Sequence, residues 1–296
     1  MADRLHADEI DIDAEMVRRL VGGQFPEWAD LTVRPAAVTG TDHRMFRLGE
    51  ALAVRLPRHA RAAGQVAKEA RWLQRLGPAL PCPVPIPLAV GAPGEGFPLA
   101  WSVCLWLGGE PPPSAGGVDL GRNLAAFVAA LRRQPTDDAP PPGPDNSWRG
   151  VPLARRERVT QAALGQLEGE IDVEAARAAW ARDRDAPAWT GAPVWIHGDL
   201  QAGNLLTRDG RLAAVLDFGC LAVGDPACDL QPAWFVLGPE GRAAFRDALQ
   251  ADDADWARGR GWALSVALLQ LPYYRDSHPA LANGARVAIN AVLVDL

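Results

Sequence analysis

Two oxygen-bearing side chains in the second half of the sequence, Asn204 and Asp217, have a spacing that could bring them to one metal ion. Between them, Asp209-Gly210 is a strong signal for a two-residue β-hairpin turn, with apolar residues on both sides. Pairing from that turn places Asn204 opposite Val215, and Asp217 then lies on the same face, about 7–8 Å away on the diagonal. Oxygen ligands at that separation can share one hard cation or hold a pair of cations. The alternative is a surface hairpin with incidental polar residues.

The same residues belong to a longer ordered pattern. The sequence reads HGDLQAGNLL over residues 197–206, so that Asn204 follows Asp199 by five residues, and Asp217 opens the tripeptide DFG thirteen residues after Asn204. This order of HxD, Asn and DFG resembles the catalytic loop and metal-binding aspartate of the kinase fold, and HGDLxxGNLL is similar to the motif of the aminoglycoside phosphotransferase family. The resemblance implies that Asp199 accepts the proton of a substrate hydroxyl. It also implies that Asn204 and Asp217 hold magnesium on the phosphates of a nucleotide.

Residues around this motif receive supporting roles from the same resemblance. His197 corresponds to a histidine that mainly holds the backbone of the catalytic loop, rather than to the base. The segment Gly224–Leu230, GDPACDL, matches the family's GDPxxDL element, in which the second aspartate braces that loop. We therefore expect Asp225 and Asp229 to be architectural residues.

The first third of the chain departs from the family pattern at one position. The segment Ala53–Arg58 looks like the strand that presents a phosphate-binding lysine, but the residue at that position is Arg55. Lys68 is the only lysine among the 30 basic residues, and it adjoins Glu69, whose counterpart in the family pairs with the strand lysine. A guanidinium is permanently charged and binds phosphate through a fork, so Arg55 can replace the lysine with a different reach. We expect an Arg55–Glu69 pair and a dispensable Lys68; the alternative is a surface arginine on a strand.

Two further segments carry the expected nucleotide contacts. Residues 39–48, TGTDHRMFRL, occupy the place of the loop that covers the phosphates of ATP, although they contain a single glycine. The alternative for this segment is an ordinary hairpin turn. The resemblance also implies that adenine hydrogen-bonds to backbone near Cys104 to Gly108, and Cys104, Trp106 and Gly108 are the cofactor-binding positions expected there.

Short elements are predicted to position these residues. Asp13 is suited to cap a helix that Gly22-Gly23 would end. Short apolar segments separated by glycines predict an antiparallel meander, followed by a helix over residues 60–76. Strands are predicted at 31–39, 45–48, 51–56, 88–90 and 99–107, and later helices at 120–133, 154–167, 173–181, 243–249 and 256–271.

These elements predict an α+β, two-lobed protein-kinase-like fold. Residues 1–107 are expected to form a small N-terminal antiparallel sheet lobe with one key helix, which binds the nucleotide. Residues 108–296 are expected to form a larger, mainly helical lobe with the catalytic residues and the acceptor site, and the hinge should lie near 106–109. The stretch 136–147, TDDAPPPGPDNS, has too much proline and too few apolar residues to pack, so we expect an exposed loop.

Composition and charge exclude several classes of protein. The chain has 296 residues, of which 48% are hydrophobic and 22% charged, as in folded globular proteins. Its net charge of −6 has the wrong sign for a protein that binds nucleic acid. The four cysteines lack CxxC pairing and are expected to be reduced. The sequence shows neither the pattern of a secretory signal nor an apolar run that could span a membrane, so we expect a cytoplasmic monomer or homodimer with no membrane partner.

These observations favour a magnesium-dependent kinase that transfers the γ-phosphoryl of ATP, or of GTP, to a hydroxyl of a small molecule. Only four residues separate Gly219 from Gly224, which leaves no room for an activation segment that could dock a peptide. All of the net negative charge falls in 108–296, because 1–107 contains equal numbers of acidic and basic residues. We therefore expect a cationic acceptor such as an aminoglycoside antibiotic. Macrolides, cationic peptide antibiotics, choline, homoserine and sugars are alternatives, as is a catalytically inactive nucleotide-binding regulator.

Overall fold

The structure, a computed structural model, describes residues 8–37 and 40–295 and contains two compact units. The first unit consists of the chain up to Gly108 together with Ala214–Gly219, and the second consists of Gly109–Ala213 and Cys220–Leu296. The DFG segment is therefore part of the first unit, although it follows the catalytic loop in sequence. Val38 and Thr39, which fall in a predicted strand and in the predicted phosphate loop, lie outside the described residues.

The first unit is built on a five-stranded antiparallel sheet with the order β1-β2-β3-β5-β4. This arrangement confirms the predicted meander, because β1, β2 and β3 are neighbours in both sequence and space. Helix α2 begins after a 3₁₀ turn and ends at Gly77, as expected. The elements are α1 (Ala14–Gln24), β1 (Val33–Pro35), β2 (His43–Leu48), β3 (Leu52–Pro57), α2 (Ala63–Leu76), β4 (Pro87–Gly91) and β5 (Trp101–Leu105).

Helix α1 begins as predicted but ends later than predicted. The Asp13 carboxylate accepts the Met16 N–H at 2.7 Å and so caps the first turn. The helix continues through Gly22-Gly23 to Gln24. Glycine costs about 1 kcal/mol in a helix interior, and burial of one face of α1 in the apolar core of the sheet offsets that cost. This core contains Val17, Leu20, Val21, Phe46, Leu48, Leu52, Val54, Leu56, Phe97, Trp101 and Val103.

The second unit is mainly helical and carries two small two-stranded sheets, β6-β9 and β7-β8. The predicted hairpin forms between β7 and β8, with Asp209 and Gly210 at φ +53° and +73° in its turn. The last two residues of β8 belong to the first unit. The elements are α3 (Val118–Arg132), α4 (Glu157–Leu164), α5 (Val173–Arg184), β6 (Val194–Ile196), β7 (Leu205–Arg208), β8 (Arg211–Val215), β9 (Ala222–Gly224), α6 (Pro232–Phe235), α7 (Pro239–Leu249), α8 (Asp253–Tyr274) and α9 (Pro279–Val294).

Several parts of this unit differ from the sequence prediction. Helix α9 was not predicted, and α8 continues past Pro272, where a helix end was expected. The proline-rich stretch 136–147 is mostly exposed, as expected, but it contains a 3₁₀ turn, Pro144–Asn146, whose Asn146 side chain is buried. Among the residues that the structure describes, no helix has both the length and the apolar character needed to cross a membrane.

Candidate active site

The predicted catalytic loop follows β6, and a buried carboxylate holds its backbone. Asp229 accepts the backbone N–H of His197 and that of Gly198, each at 2.7 Å. Burial raises the pKa of Asp229 above its ordinary value, while His197 and the two N–H groups oppose this shift. His197 is itself buried, and its Nδ1 accepts the Asp199 N–H at 3.2 Å. These contacts support the architectural roles expected for Asp229 and His197.

Gly198 is required by the shape of this loop. Its φ is +82°, in the region that side chains rarely adopt. A Cβ at this position would lie 2.9 Å from the Cys220 carbonyl oxygen and 3.1 Å from the Cβ of Arg149. The catalytic loop is therefore in direct contact with the residue after DFG and with the segment that contains Arg149.

The Asp199 carboxylate is held by two neutral amides from its own loop. Gln201 Nε2 donates to Asp199 Oδ1 at 2.8 Å, and Asn204 Nδ2 donates to Oδ2 at 2.9 Å and to the Asp199 backbone oxygen at 2.8 Å. Gln270 of α8 donates in turn to the Gln201 side-chain oxygen at 3.1 Å. The Asp199 side chain is 27% exposed, so it is oriented and yet accessible to a small molecule. The structure thus brings Asp199 and Asn204 together, and it adds Gln201 and Gln270, which sequence reasoning missed.

Asp225 stabilises the segment that follows β9. Its carboxylate accepts the Ala227 N–H at 2.9 Å and lies 3.2 Å from Arg258 Nε in a buried ion pair. Burial raises the pKa of Asp225, although Ala227 and Arg258 oppose that effect. These contacts match the architectural role that the sequence pattern implied.

In the first unit, Arg55 and Glu69 form the expected pair. Arg55 Nη1 and Nη2 donate to the two Glu69 carboxylate oxygens at 2.5 and 3.1 Å, and both side chains are buried. Burial alone would lower the pKa of Arg55, but the Glu69 carboxylate raises it above its ordinary value. Glu69 Oε1 also accepts the Phe218 N–H at 3.1 Å, so the pair is joined to the DFG segment. The alternative of a surface arginine is excluded by this burial.

The backbone of DFG has a second contact with α2. Lys68 Nζ donates to the carbonyl oxygen of Gly219, one residue after the Phe218 that Glu69 holds. A Cβ at Gly219 would lie 2.8 Å from the Gln65 carboxamide, which would have to shift to admit it. Lys68 therefore contacts the site, which the expectation of a dispensable lysine did not anticipate.

Asp217 has the backbone geometry of a specialised position. Its φ is +57°, uncommon for any residue other than glycine and most tolerable for aspartate and asparagine. Its Oδ1 accepts the Gly219 N–H at 3.1 Å. Among the described residues, no donor is bonded to its other carboxylate oxygen.

The side-chain oxygens of Asn204 and Asp217 are suited to bind a magnesium ion. Both amide hydrogen bonds of Asn204 use Nδ2, so that within the described residues its amide oxygen and one carboxylate oxygen of Asp217 have no hydrogen-bond donor. Across residues 8–37 and 40–295, no group of three or more histidine, cysteine and carboxylate side chains could hold a metal by itself. Mg²⁺ normally binds through one or two protein oxygens and completes its shell with waters and phosphates. Asn204 and Asp217 belong to different compact units, so their sharing of one cation stays a prediction.

Two buried polar side chains lie near Arg55, and the sequence did not indicate either of them. Ser102 lies opposite Arg55 in the pairing of β5 with β3, and its buried Oγ has no hydrogen-bond partner among the described residues. His43 on β2 is buried, and its Nε2 is likewise without a partner in that part of the chain. Burial, and next the charge of Arg55, lower the pKa of His43 to about 3, so the ring is neutral at pH 7.

The segment expected to bind adenine lies just before Gly108, where the main stretch of the first unit ends. Cys104 is buried in β5 and pairs with Ala53. The Trp106 N–H donates to the Ala51 carbonyl oxygen at 2.8 Å, and the guanidinium of Arg47 lies 4.3 Å from the Trp106 ring centroid. The Trp106 backbone N–H is therefore already used beside the paired strands β3 and β5, while Gly108 is exposed. A nucleotide contact at Cys104, Trp106 or Gly108 stays a prediction.

Solved structures with the same fold include both aminoglycoside and macrolide phosphotransferases. The GDP complex of wild-type aminoglycoside 2'-phosphotransferase-IIIa is 17% identical over 96% of this chain and 100% of that chain, with a TM-score of 0.71. The streptomycin-ATP-APH(2")-IIa ternary complex is 18% identical over 96% of this chain and 99% of that chain, with a TM-score of 0.59. Macrolide 2'-phosphotransferase MphH from Brachybacterium faecium, an apoenzyme structure, is 23% identical over 94% and 98%, with a TM-score of 0.59. At these identities the likeness establishes the kinase-like fold, which confirms the predicted fold class.

The sequence itself matches one family. No curated protein sequence matches the chain. The model of the phosphotransferase enzyme family (APH), however, matches residues 32–262, which is more than three quarters of the chain. This match covers the Arg55–Glu69 pair, the catalytic loop and the DFG segment, and it confirms the resemblance seen in the motifs. The protein is therefore a member of the phosphotransferase enzyme family.

Proposed function

We propose that this protein transfers the γ-phosphoryl group of a nucleoside triphosphate to a hydroxyl of a small molecule. The observation that carries the proposal is the arrangement of Asp199, a partly exposed carboxylate whose two oxygens are oriented by Gln201 and Asn204. A carboxylate held in this way can align an acceptor hydroxyl and take its proton as the oxygen attacks phosphorus. The proton moves from the hydroxyl to an Asp199 oxygen, and the nucleoside diphosphate leaves.

The first unit supplies the groups suited to bind the nucleotide. We assign Arg55 to the triphosphate, with Glu69 fixing its direction, and the backbone near Cys104, Trp106 and Gly108 to adenine. Solved structures of the same fold contain GDP, ADP or ATP, which supports a nucleotide as co-substrate without choosing between ATP and GTP. Residues 1–107 then serve as the nucleotide-binding lobe and 108–296 as the catalytic and acceptor-binding lobe.

Asn204 and Asp217 are the residues that would hold Mg²⁺ against the phosphates. The bound ion would neutralise negative charge that develops during phosphoryl transfer. The protein's own contribution is to fix these two oxygens: Asn204 through its bonds to Asp199, and Asp217 through its bond to the Gly219 N–H.

A cationic antibiotic such as an aminoglycoside is the acceptor that we favour. The excess of acidic over basic residues lies in 108–296, the part that carries Asp199. Structures of the same fold include complexes with kanamycin, gentamicin and streptomycin. Macrolide phosphotransferases share the fold as well, so a macrolide is the first alternative acceptor. Cationic peptide antibiotics, choline, homoserine and sugars are further alternative acceptors.

An inactive nucleotide-binding regulator is the second candidate function. Replacement of the strand lysine by Arg55 favours it slightly, because the family pattern is altered at the phosphate-binding position. The presence of Asp199, Asn204 and Asp217 opposes it, since a binding module has no need of an oriented base. A cytoplasmic location fits both candidates, because both use a nucleotide and none of the four cysteines forms a disulfide.

A panel assay separates these candidates. Purified protein is incubated with Mg²⁺, with ATP or GTP, and with one acceptor at a time from the classes above, and products are read by mass spectrometry. We expect one acceptor class to gain a single phosphoryl group, with no gain when the metal is chelated. Nucleotide binding without turnover on any acceptor would support the regulator instead.

A further inference from the structure

Arg149 is a buried cation beside Asp199 that neither the family motifs nor the proposed function uses. Its Nη2 lies 3.8 Å from Asp199 Oδ1, the oxygen that also accepts the Gln201 amide. The Arg149 side chain is 11% exposed. Among the residues that the structure describes, Asp199 is the only carboxylate within ion-pair distance of Arg149. A buried guanidinium with a single carboxylate partner is costly, which suggests a role specific to that carboxylate.

The backbone that presents Arg149 is strained and firmly held. Ser147 and Trp148 have φ values of +53° and +58°, and left-handed backbone costs a non-glycine residue about 1–2 kcal/mol. Asn146 offsets this cost, because its buried amide donates to the Arg149 carbonyl oxygen at 2.9 Å and to the Cys220 carbonyl oxygen at 3.4 Å. The Arg149 N–H donates to the Asn146 carbonyl oxygen at 3.1 Å. The segment is thus tied at Cys220 to the chain that follows DFG.

The surroundings of the guanidinium keep it charged. Burial alone would lower the pKa of Arg149, but the Cys220 thiol and then Asp199 raise it, so the side chain stays charged. Its Nε is buried and has no hydrogen-bond partner within the described parts of the chain. The guanidinium carbon lies 6.0 Å from the ring centroid of Trp262 on α8.

A second buried arginine, Arg156, also lies near the Trp262 ring and serves as an example of a purely structural arginine. The Arg156 guanidinium carbon lies 4.8 Å from the Trp262 ring centroid, and its Nε donates to the Ser265 hydroxyl at 2.9 Å. Burial, followed by the charge of Arg149, lowers the pKa of Arg156 to about 9. In the part of the chain that the structure describes, no carboxylate lies within ion-pair distance of Arg156. The two arginines share an environment, and only Arg149 reaches the base.

We propose that Arg149 is a positioning residue for phosphoryl transfer, one that acts through Asp199. The positive charge of Arg149 attracts Asp199 Oδ1, the oxygen that also accepts the Gln201 amide. The other oxygen of Asp199, Oδ2, and the exposed edge of the carboxylate then face the acceptor hydroxyl. This inference rests on the proposed function, because it takes Asp199 to be the base. It gives a role in the reaction to the segment from Asn146 to Arg149, which overlaps the end of the stretch 136–147.

The test compares Arg149→Met with Arg156→Met, which removes the matched arginine from the same tryptophan. Displacing a catalytic group by about 1 Å can cost on the order of 100-fold in rate. We expect Arg149→Met to lower kcat by about 10- to 100-fold while the KM for nucleotide stays within about threefold. Arg156→Met should lose stability and keep its kcat. Arg149→Lys should recover part of kcat, since it retains the charge.

A double variant tests whether Arg149 acts through Asp199. If it does, Arg149→Met should add little to the loss caused by Asp199→Asn, because the two changes remove one function. Independent, multiplying losses would overturn the proposal, as would equal kcat losses in Arg149→Met and Arg156→Met. If Arg149→Met does not fold, the same comparison is made with Arg149→Gln, which removes the charge and keeps a polar side chain.

Crystal structures of the two methionine variants give a readout that does not depend on activity. We expect the Asp199 carboxylate to move from its contacts with Gln201 and Asn204 in Arg149→Met and to keep them in Arg156→Met. An unmoved carboxylate in both variants would overturn the positioning role. If the wild-type protein phosphorylates nothing, the proposed function fails, and these structures still decide the role of Arg149.

Discussion

The two units hold their key carboxylates by different means. In the first unit, Glu69 is fully buried, and both of its oxygens receive charged hydrogen bonds from Arg55. In the second, Asp199 is partly exposed, its oxygens receive neutral amide hydrogen bonds, and the Arg149 guanidinium lies 3.8 Å from its Oδ1. A close ion pair suits a carboxylate that stays charged, since losing one charge would leave the other buried and unpaired. Amide donors suit a carboxylate that gains a proton in each turnover, because they orient it without depending on a full opposite charge.

Arg55→Ala should have the largest effect on the first unit. It removes the partner of a fully buried carboxylate, which typically costs about 3–5 kcal/mol of stability. Because Arg55 is also assigned to the triphosphate, KM for nucleotide should rise and kcat should fall together. Arg55→Lys should recover part of the activity, since it keeps the charge and loses the fork. Urea unfolding and steady-state kinetics measure the two effects.

A double variant separates folding from binding in this pair. Arg55→Met with Glu69→Leu removes both charges, so that neither is left unpaired, and replacement of a buried pair by apolar residues is often tolerated. We expect stability to recover substantially and nucleotide affinity to remain low. Recovery of both would mean that Arg55 serves only the fold of the first unit.

Asp217→Asn tests the metal ligand without disturbing the backbone. Asparagine tolerates the positive φ of this position and can still accept the Gly219 N–H. It lacks the charge that Mg²⁺ favours, so the Kd for MgATP should rise by about tenfold or more, with metal-free ATP affected much less. Isothermal titration with and without Mg²⁺ gives both values. Equal weakening of the two would point to a folding defect.

His43 should make the first unit sensitive to acid. Its pKa is about 3 in the folded protein, against an ordinary value of 6.5, because burial and Arg55 disfavour the charged ring. Between these values the unfolded chain binds more protons than the folded chain, so stability present above pH 6.5 is lost as the pH falls. The loss amounts to about 2 kcal/mol at pH 5.

The comparison variant for this prediction is His43→Asn, which cannot titrate in this range. Urea unfolding at pH 7 and pH 5 should show about 2 kcal/mol more loss in wild type than in the variant. Identical losses in the two proteins would mean that His43 is not held neutral by its surroundings.

Lys68→Met should have the smallest effect of the set. It removes the donor to the Gly219 carbonyl oxygen, and a hydrogen bond from a charged group contributes about 1.5–3 kcal/mol when buried and less when partly exposed. We expect kcat within about threefold of wild type and an unchanged KM for nucleotide. If Lys68→Met abolished activity while Arg55→Ala was benign, the phosphate contact would come from α2 instead of β3.

The sequence was sufficient for those parts of the site that depend on local spacing. Asp199 and Asn204 lie in one short loop, and the hairpin turn at Asp209-Gly210 has a residue signature of its own. The Arg55–Glu69 pair followed from resemblance, since a strand and a helix fourteen residues apart have no fixed geometry without a known fold. All of these predictions draw on interactions of short range or on a known pattern.

The parts that were missed depend on contacts between distant segments. Arg149 contacts Asp199, which lies fifty residues later in the sequence, and Gln270 contacts Gln201, which lies 69 residues earlier. No sequence motif predicts either contact. Helix α9 does bury residues at helical spacing, but alanines on both faces weaken the contrast between its buried and exposed sides. The end of α8 was misplaced because Pro272 usually ends a helix, whereas here it is accommodated within one.

The division of labour between the two units is tested most directly by Asp199→Asn, studied for nucleotide binding and phosphoryl transfer in the same preparation. The base should contribute about 10²- to 10⁴-fold to the rate and little to the affinity for MgATP. We therefore predict that kcat for the best acceptor falls by that factor, while the Kd for MgATP, measured by isothermal titration, stays within about threefold of wild type. Retention of most of the transfer activity, or a loss of nucleotide affinity as large as the loss of rate, would contradict the assignment of Asp199 as the base.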